Sequence, residues 1–334
     1  MWKTRFTIAV LGLFVAVGCQ AESDSPPTDD DSPKKNEVTL LLNWFPEAEH
    51  GGFFAAEVHG GFAEAGVTVK ILPGGPNSPV VQQVANRDVD FGVTNADRVL
   101  LGRAQDADVV AVMSPIQMSP RSIMVHEKSG IKSFDDLKDV TLAMSGGATW
   151  AQFLQKKLPL KGVRIVPSPG GSVAQFLREE KFAQQAYVFS EPFVAKKAGG
   201  DPHNLMVSDL GFNPYTSVLI CRRETIEKNP ELVRKVVAAS IAGWRTYLSK
   251  PDKTNRHIHG INPEMDLDIL TFGAKALQPL CVTETVAEDE LGAMTLERWQ
   301  TLVSQLEDVG AIEKGRVEAG KAFTAQFLPD VETR

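Results

Sequence analysis

Cysteine is scarce in this 334-residue chain: Cys19, Cys221 and Cys281 fit neither a disulfide framework nor a paired-cysteine zinc site. The six histidines include no HExxH pair, so no metal centre of that kind is expected. There is no GxSxG elbow, no GxGxxG fingerprint and no glycine loop closed by lysine, so the signatures of serine hydrolases and nucleotide binders are missing. Positive charge is in deficit, with 35 basic against 42 acidic residues and a net of −7, which argues against a nucleic-acid partner. No apolar run reaches the roughly 18 residues of a membrane span. What is present is a chain 43% hydrophobic and 23% charged, rich enough in apolar residues for a sizeable core and too long for most single cores. Two lobes are the expectation.

Lys3 and Arg5 precede an apolar run from Phe6 to Val17 that ends at Gly18-Cys19. This reads as an export signal over residues 1–18. A cysteine directly after a small residue looks like a bacterial lipoprotein signal, with Cys19 as the lipid-bearing first residue. The alternative is an ordinary signal peptide with an incidental cysteine. Without Lys3 and Arg5 the basic count falls from 35 to 33 against 42 acidic residues, a net of −9. Residues 19–36 are mostly Ser, Pro, Asp and Lys with little to bury, so they read as a disordered tether.

From Val38 onward short β-rich runs alternate with amphipathic segments, which implies α/β units with mostly parallel sheets. A second such set begins near Ser122, and after Cys221 the pattern turns helical, with segments at 230–249, 266–276, 288–309 and 315–323. The chain therefore divides into a first lobe over 37–118 plus 220–334 and a second over 119–219. Two crossovers would join them, near 115–121 and 213–221, with a ligand cleft between the lobes. Strand C-termini and helix N-termini line such a crevice, because unpaired amide donors point there.

Four turns follow strands. In Leu42-Asn43-Trp44-Phe45-Pro46, Asn43 offers a donor and an acceptor and Trp44 a flat face for a planar ligand, unless the indole packs beneath its own loop. His50, a little further on, reads as a cap or a hydrogen-bonded surface residue. In Thr94-Asn95-Ala96, Asn95 can cap the next helix, bind ligand, or both. Ser145-Gly146-Gly147 is either a cradle for a small ligand or a plain tight turn. In Ser190-Glu191-Pro192, Glu191 could accept hydrogen bonds from a ligand's N–H groups with Ser190 adding one, or merely supply favourable charge at a helix N-terminus. No catalytic constellation emerges. Cys221 and Cys281 could pair in an oxidising compartment or remain buried thiols.

The segments Leu41–Pro46, Asp88–Val93, Gly130–Lys138, Glu191-Pro192 and Lys228–Lys235, in that order, make the chain resemble the NMT1/THI5-like periplasmic solute-binding proteins of ABC importers, from about Val38 to Phe327. The resemblance implies a two-lobed type II periplasmic binding protein fold, a Venus flytrap, with ligand at the hinge. It implies an aromatic ring stacking a pyrimidine and a carboxylate on its amino edge, positions matched by Trp44 and Glu191. Fungal relatives act as pyrimidine synthases, using a histidine of their own and a cysteine-rich stretch with iron. Here Arg98 stands in place of that histidine and Phe212-Asn213-Pro214-Tyr215 in place of the cysteines, so no enzyme is expected. The expectation is a monomeric extracytoplasmic lipoprotein, held to a membrane through lipid on Cys19 and delivering a small solute to an ABC permease. The solute would be a thiamine pyrimidine precursor, with riboflavin or an alkanesulfonate as alternatives. No cofactor or metal is called for.

Overall fold

A computed structural model describes residues 36–168 and 170–328. The expected leader, Cys19 and the tether as far as residue 35 lie outside the described residues; Asn36 opens the first strand.

The first run of elements is β1 (Asn36–Leu41), α1 (Gly51–Val58), α2 (Gly61–Glu64), β2 (Val67–Leu72), α3 (Val80–Ala85), β3 (Phe91–Thr94), α4 (Ala96–Ala104) and β4 (Val109–Met113). Val67 and Val69 of β2 are buried while Thr68 and Lys70 are exposed, the alternation of a strand at the sheet's edge. β3 and β4 are buried at every position, as strands covered on both faces are. The second run comprises β5 (Arg121–His126), β6 (Thr141–Ala143), α5 (Thr149–Lys157), β7 (Arg164–Val166), α6 (Ala174–Arg178), β8 (Phe182–Tyr187), α7 (Glu191–Lys197) and β9 (Pro202–Met206). The third adds β10 (Val218–Arg222), then α8 (Arg223–Lys228), α9 (Pro230–Ser249), α10 (Asp252–Ile261), α11 (Leu267–Cys281) and α12 (Leu296–Asp308).

These strands form two five-stranded sheets, ordered β2-β1-β3-β10-β4 and β7-β6-β8-β5-β9. Each sheet is the floor of one lobe. Both are mixed: β10 is antiparallel to β3 and β4, and β5 is antiparallel to β8 and β9. The expectation of mostly parallel sheets misses these strands because each enters its sheet straight from a crossover, with no helix beforehand to reverse the chain. The edge strand β9 begins with proline and buries only Leu205, so it carries little strand signal.

The two crossovers lie side by side. Ile116 bridges Thr216, and Ser119 donates its backbone N–H to Asn213 Oδ1 at 2.8 Å. Arg298 of α12 ties both: its guanidinium donates to the carbonyls of Asn213 and Gln117 and lies 3.8 Å from the Tyr215 ring.

α9 buries Val233, Val236, Val237, Ser240, Ile241, Trp244 and Tyr247, the three-and-four spacing of an amphipathic helix, and takes Pro230 in its first turn. It packs on α1 with backbones nearly in contact. A Cβ on Gly51 would fall 2.1 Å from the Tyr247 ring, one on Gly52 2.0 Å from Trp244, and one on Gly243 2.2 Å from Gly52 O. This packing seats the turn that precedes α1.

Two expected helices change. The one at 288–309 begins only at Leu296, since Gly292 adopts φ 101° before it, and 315–323 holds just a single 3-10 turn at Ala319–Lys321. Cys221 and Cys281 are free, buried thiols.

Candidate functional site

The turn between β1 and α1 is buried although it is polar: Glu47 is 6% exposed, Glu49 1% and His50 0%. Asn43 organises it. Its Nδ2 donates to Glu49 Oε1 at 3.1 Å, and its Oδ1 accepts from His50 Nε2 at 2.8 Å. With the hydrogen on Nε2, His50 Nδ1 is an acceptor, and it has no partner among the described residues. Burial pushes the imidazole down to about 3, so His50 is neutral. It takes the N-cap position of α1 without a side-chain capping bond, and it is buried rather than at the surface, because the close α1–α9 packing draws its turn inward.

Burial pushes the Glu49 carboxyl up to about 7, against the pull of the Asn43 hydrogen bond and of Arg121. Burial also raises Glu47, and repulsion from Glu49 and Glu191 adds to it. Glu191, the first residue of α7, is half-buried and raised by burial, although its Oε2 accepts the Tyr187 backbone N–H at 2.8 Å and Arg121 attracts it. Arg121 thus attracts two of these carboxyls, Glu49 and Glu191.

That guanidinium opens the second lobe. Arg121 donates to Tyr187 Oη at 2.9 Å and lies 4.2 Å from the Tyr187 ring and 5.1 Å from the Trp150 ring. Asn95, at the start of α4, donates to the same hydroxyl at 3.3 Å from the opposite lobe. It makes no capping bond, and its Oδ1 is buried without a partner among the described residues. Burial pushes the Tyr187 hydroxyl up to about 12, so it stays protonated. A second interlobe bond runs from Thr149 Oγ1 to Asp97 Oδ2 at 2.5 Å.

Between these groups lies a cavity of about 50 Å³. Asn95, Asp97 and Arg98 line it from the first lobe, and Arg121, Trp150 and Tyr187 from the second. The first turns of α4 and α5 meet there, so amide dipoles, the guanidiniums of Arg98 and Arg121, the Asp97 carboxyl, an amide oxygen and the rings of Trp150, Tyr187 and Phe212 converge on one small volume. Such a set suits a planar solute with hydrogen-bonding edges.

Among the described residues, Asn95 alone of the ligand-binding candidates from sequence lines this cavity, together with Arg98, Phe212 and Pro214, which mark the departure from the fungal pattern. Asn43 serves it indirectly, by holding Glu49 and His50. Trp44 is half-buried, edge-on to Phe45 with centroids 5.5 Å apart, and is not in the lining. Ser145 is exposed and its N–H is already given to Gln185 Oε1 at 2.7 Å; Gly146 and Gly147 take up glutamine donors through their carbonyls. Their neighbour Ala148 reaches the cavity instead. Ser190 opens α7 without a side-chain capping bond, and its N–H goes to Tyr187 O at 2.9 Å. The sequence reading passes over Glu47, Glu49, Asp97, Arg121, Trp150 and Tyr187. A signal existed for two of these: Glu47 and Glu49 alternate with alanine before a histidine and a pair of glycines, an unusually acidic lead into an apolar helix.

Comparison with known proteins gives the chain its relatives. Residues 47–254 match the family model described as NMT1/THI5 like. A riboflavin-binding protein, RibY of Chloroflexus aurantiacus, is 24% identical over 98% of this chain and 99% of its own. A formylaminopyrimidine-binding protein of Halalkalibacterium halodurans is 24% identical over 95% and 98%. A Saccharomyces cerevisiae 4-amino-5-hydroxymethyl-2-methylpyrimidine phosphate synthase, THI11, is 27% identical over 70% and 74%. Among solved structures, the periplasmic aliphatic sulphonate binding protein SsuA of Escherichia coli superposes with a TM-score of 0.66 at 16% identity, covering 90% of this chain and 96% of that one. The two-lobed periplasmic binding protein fold is thereby shown.

Proposed function

Because the chain belongs to the NMT1/THI5-like family, we propose that it captures a small planar nitrogen heterocycle between its lobes, foremost a thiamine pyrimidine precursor, and passes it to an ABC permease. The observation that carries this reading is the cavity itself, lined from both lobes and bounded by hydrogen bonds that exist only when the lobes are shut. Capture by closure around a hinge follows from that arrangement. Tyr187 and Trp150 supply faces for a ring, Arg121 and Asn95 the polar groups that orient it, and Asp97 an acceptor for amino hydrogens. Leaving one such buried group unpaired costs about 1–3 kcal/mol, so mismatched solutes are rejected.

Riboflavin is the second reading, favoured by the end-to-end match to a protein named for binding it. A synthase remains the rival from another class, and Arg98 in the cavity wall gives it no nucleophile. The proposal includes a signal peptide at 1–18, lipid on Cys19, a tether over 19–36, lobes of 37–118 plus 220–334 and 119–219, an extracytoplasmic location and a monomeric state.

Calorimetry with the purified protein tests the reading. Titration with formylaminopyrimidine and hydroxymethylpyrimidine is expected to show saturable binding, with riboflavin weaker and taurine silent. Binding of taurine alone, or of none of these, would overturn it.

A further inference from the structure

Tyr187 and Asn95 line the interlobe cavity from opposite lobes and share one hydrogen bond. The Tyr187 hydroxyl oxygen accepts twice, from Arg121 Nη2 at 2.9 Å and from Asn95 Nδ2 at 3.3 Å. A guanidinium can only donate, so the first of these bonds fixes that oxygen as an acceptor. With both lone pairs engaged, the hydroxyl still has its hydrogen to give. Burial pushes the group up to about 12, so that hydrogen stays in place. It meets no acceptor among the described residues. Asn95 is in the complementary condition: its Nδ2 is given to Tyr187, and its Oδ1 is buried with no donor among the described residues. A spare donor and a spare acceptor therefore stand one hydrogen bond apart at the same cavity.

Both residues are held in place. The Tyr187 backbone N–H goes to Glu191 Oε2 at 2.8 Å, its carbonyl accepts the Ser190 N–H at 2.9 Å, and its ring lies 5.2 Å from that of Phe189. The Asn95 carbonyl accepts the N–H groups of Arg98 at 3.0 Å and Val99 at 3.2 Å, which seats it at the start of α4. The charged groups nearby do not satisfy the pair. Asp97 Oδ2 takes the Thr149 hydroxyl, Arg98 is exposed, and Arg121 rests against the Tyr187 and Trp150 rings under the attraction of Glu49 and Glu191.

The cavity beside the pair measures about 50 Å³, room for roughly three to five water-sized groups. Pockets that enclose whole small molecules run to about 300–1,000 Å³. In the shut arrangement the pair thus meets an edge of a solute and not its whole ring.

We propose that Tyr187 and Asn95 together read one edge of the solute, the hydroxyl donating to an acceptor atom and the amide oxygen accepting from an N–H on the other side of the same carbon. This rests on the capture function proposed above and names the chemistry it selects. An amino group beside a ring nitrogen carries such an edge, and so does a lactam, with its carbonyl beside an N–H. A sulfonate offers acceptors only and leaves the Asn95 oxygen unpaired. A site built to hydrogen-bond an N–H rejects the analogue that lacks it, because its own buried group is then left alone. The donor comes from one lobe and the acceptor from the other, so the edge is read in full only when the lobes are shut. Arg121 is the positioning residue, since its bond to Tyr187 Oη sets which way the hydroxyl points.

Calorimetry on the full chain with matched analogues tests this. The probes are formylaminopyrimidine, the same compound with its ring amino group replaced by methyl, riboflavin, and riboflavin methylated at N3. In the wild type, loss of the N–H is expected to weaken binding at least about tenfold in whichever pair binds. In Asn95→Ala the intact compound weakens, and its advantage over the methyl analogue should shrink to within about twofold. A residue that only supports the fold would weaken both members alike and leave their ratio unchanged, which overturns the proposal. A wild type that binds both members equally, or prefers the methyl analogue, overturns it too while capture stands. If Asn95→Ala does not fold, the wild-type ratio decides alone. If no probe binds, the capture function falls and the edge reading with it.

Discussion

Thr149, the first residue of α5, donates its hydroxyl hydrogen to Asp97 in the first turn of α4 at 2.5 Å, and both side chains are buried. The bond joins two helix N-termini from opposite lobes, so it stabilises the shut state and contributes nothing when the lobes part. Thr149→Val keeps the shape and removes the donor, leaving Asp97 buried without that partner. The expected result in calorimetry is a loss of affinity of about 1–2 kcal/mol, roughly five- to thirtyfold. Thermal unfolding of the solute-free protein should move little. A large drop in melting temperature with unchanged affinity would assign the pair to the fold instead.

Tyr187 receives hydrogen bonds from Asn95 of one lobe and Arg121 of the other. Tyr187→Phe leaves both donors without their acceptor while preserving the ring, and affinity for the pyrimidine probes is expected to fall at least about tenfold. Trp44→Ala, outside the cavity wall, is expected to cost less than about threefold. The opposite order in the same titration would return the stacking role to Trp44.

That contrast shows what was legible in the sequence. Asn95, just after β3, lines the cavity, the place that strand C-termini predict. The cavity's other groups come from the far side of each turn: Asp97 two residues beyond Asn95, Trp150 three beyond Gly147, Tyr187 four before Glu191. Which side chain of a turn faces a cleft depends on the helix direction that follows, and that direction is set by tertiary packing. Arg121 was illegible for a different reason. Its role arises from the antiparallel entry of β5, which local periodicity does not encode. Conversely, the α9 span of Pro230–Ser249 was plain, because proline at its start and a regular apolar stripe both act within one helix.

Gly243 within α9 and Gly147 in the turn before α5 have different work, and substitution separates them. A Cβ on Gly243 would sit 2.2 Å from Gly52 O and force α9 from α1, so Gly243→Ala is expected to destabilise the fold by about 1–3 kcal/mol, read as a lowered denaturant midpoint. A Cβ on Gly147 meets nothing within 4 Å. Gly147→Ala should leave both stability and pyrimidine affinity unchanged within about twofold. A tenfold affinity loss there would revive the Ser145–Gly147 turn as a ligand cradle.

Glu49 and His50 are sequence neighbours whose protonation pulls stability in opposite directions. Glu49 is raised from 4.5 to about 7 by burial, so its contribution is present below 4.5 and is lost as pH rises through 7. His50 is lowered from 6.5 to about 3, so its contribution is present above 6.5 and is lost as pH falls toward 3. Between 4.5 and 6.5 the unfolded chain has an ionised Glu49 and a protonated His50, while the folded protein holds both neutral; the two slopes cancel. Glu49→Gln removes the falling slope and leaves the rising one. Over that window the unfolding free energy, from denaturant titrations at successive pH values, is expected to gain a slope of about 1.4 kcal/mol per pH unit relative to wild type. An unchanged slope would mean that Glu49 is ionised in the folded protein and that the Asn43 hydrogen bond and Arg121 outweigh its burial.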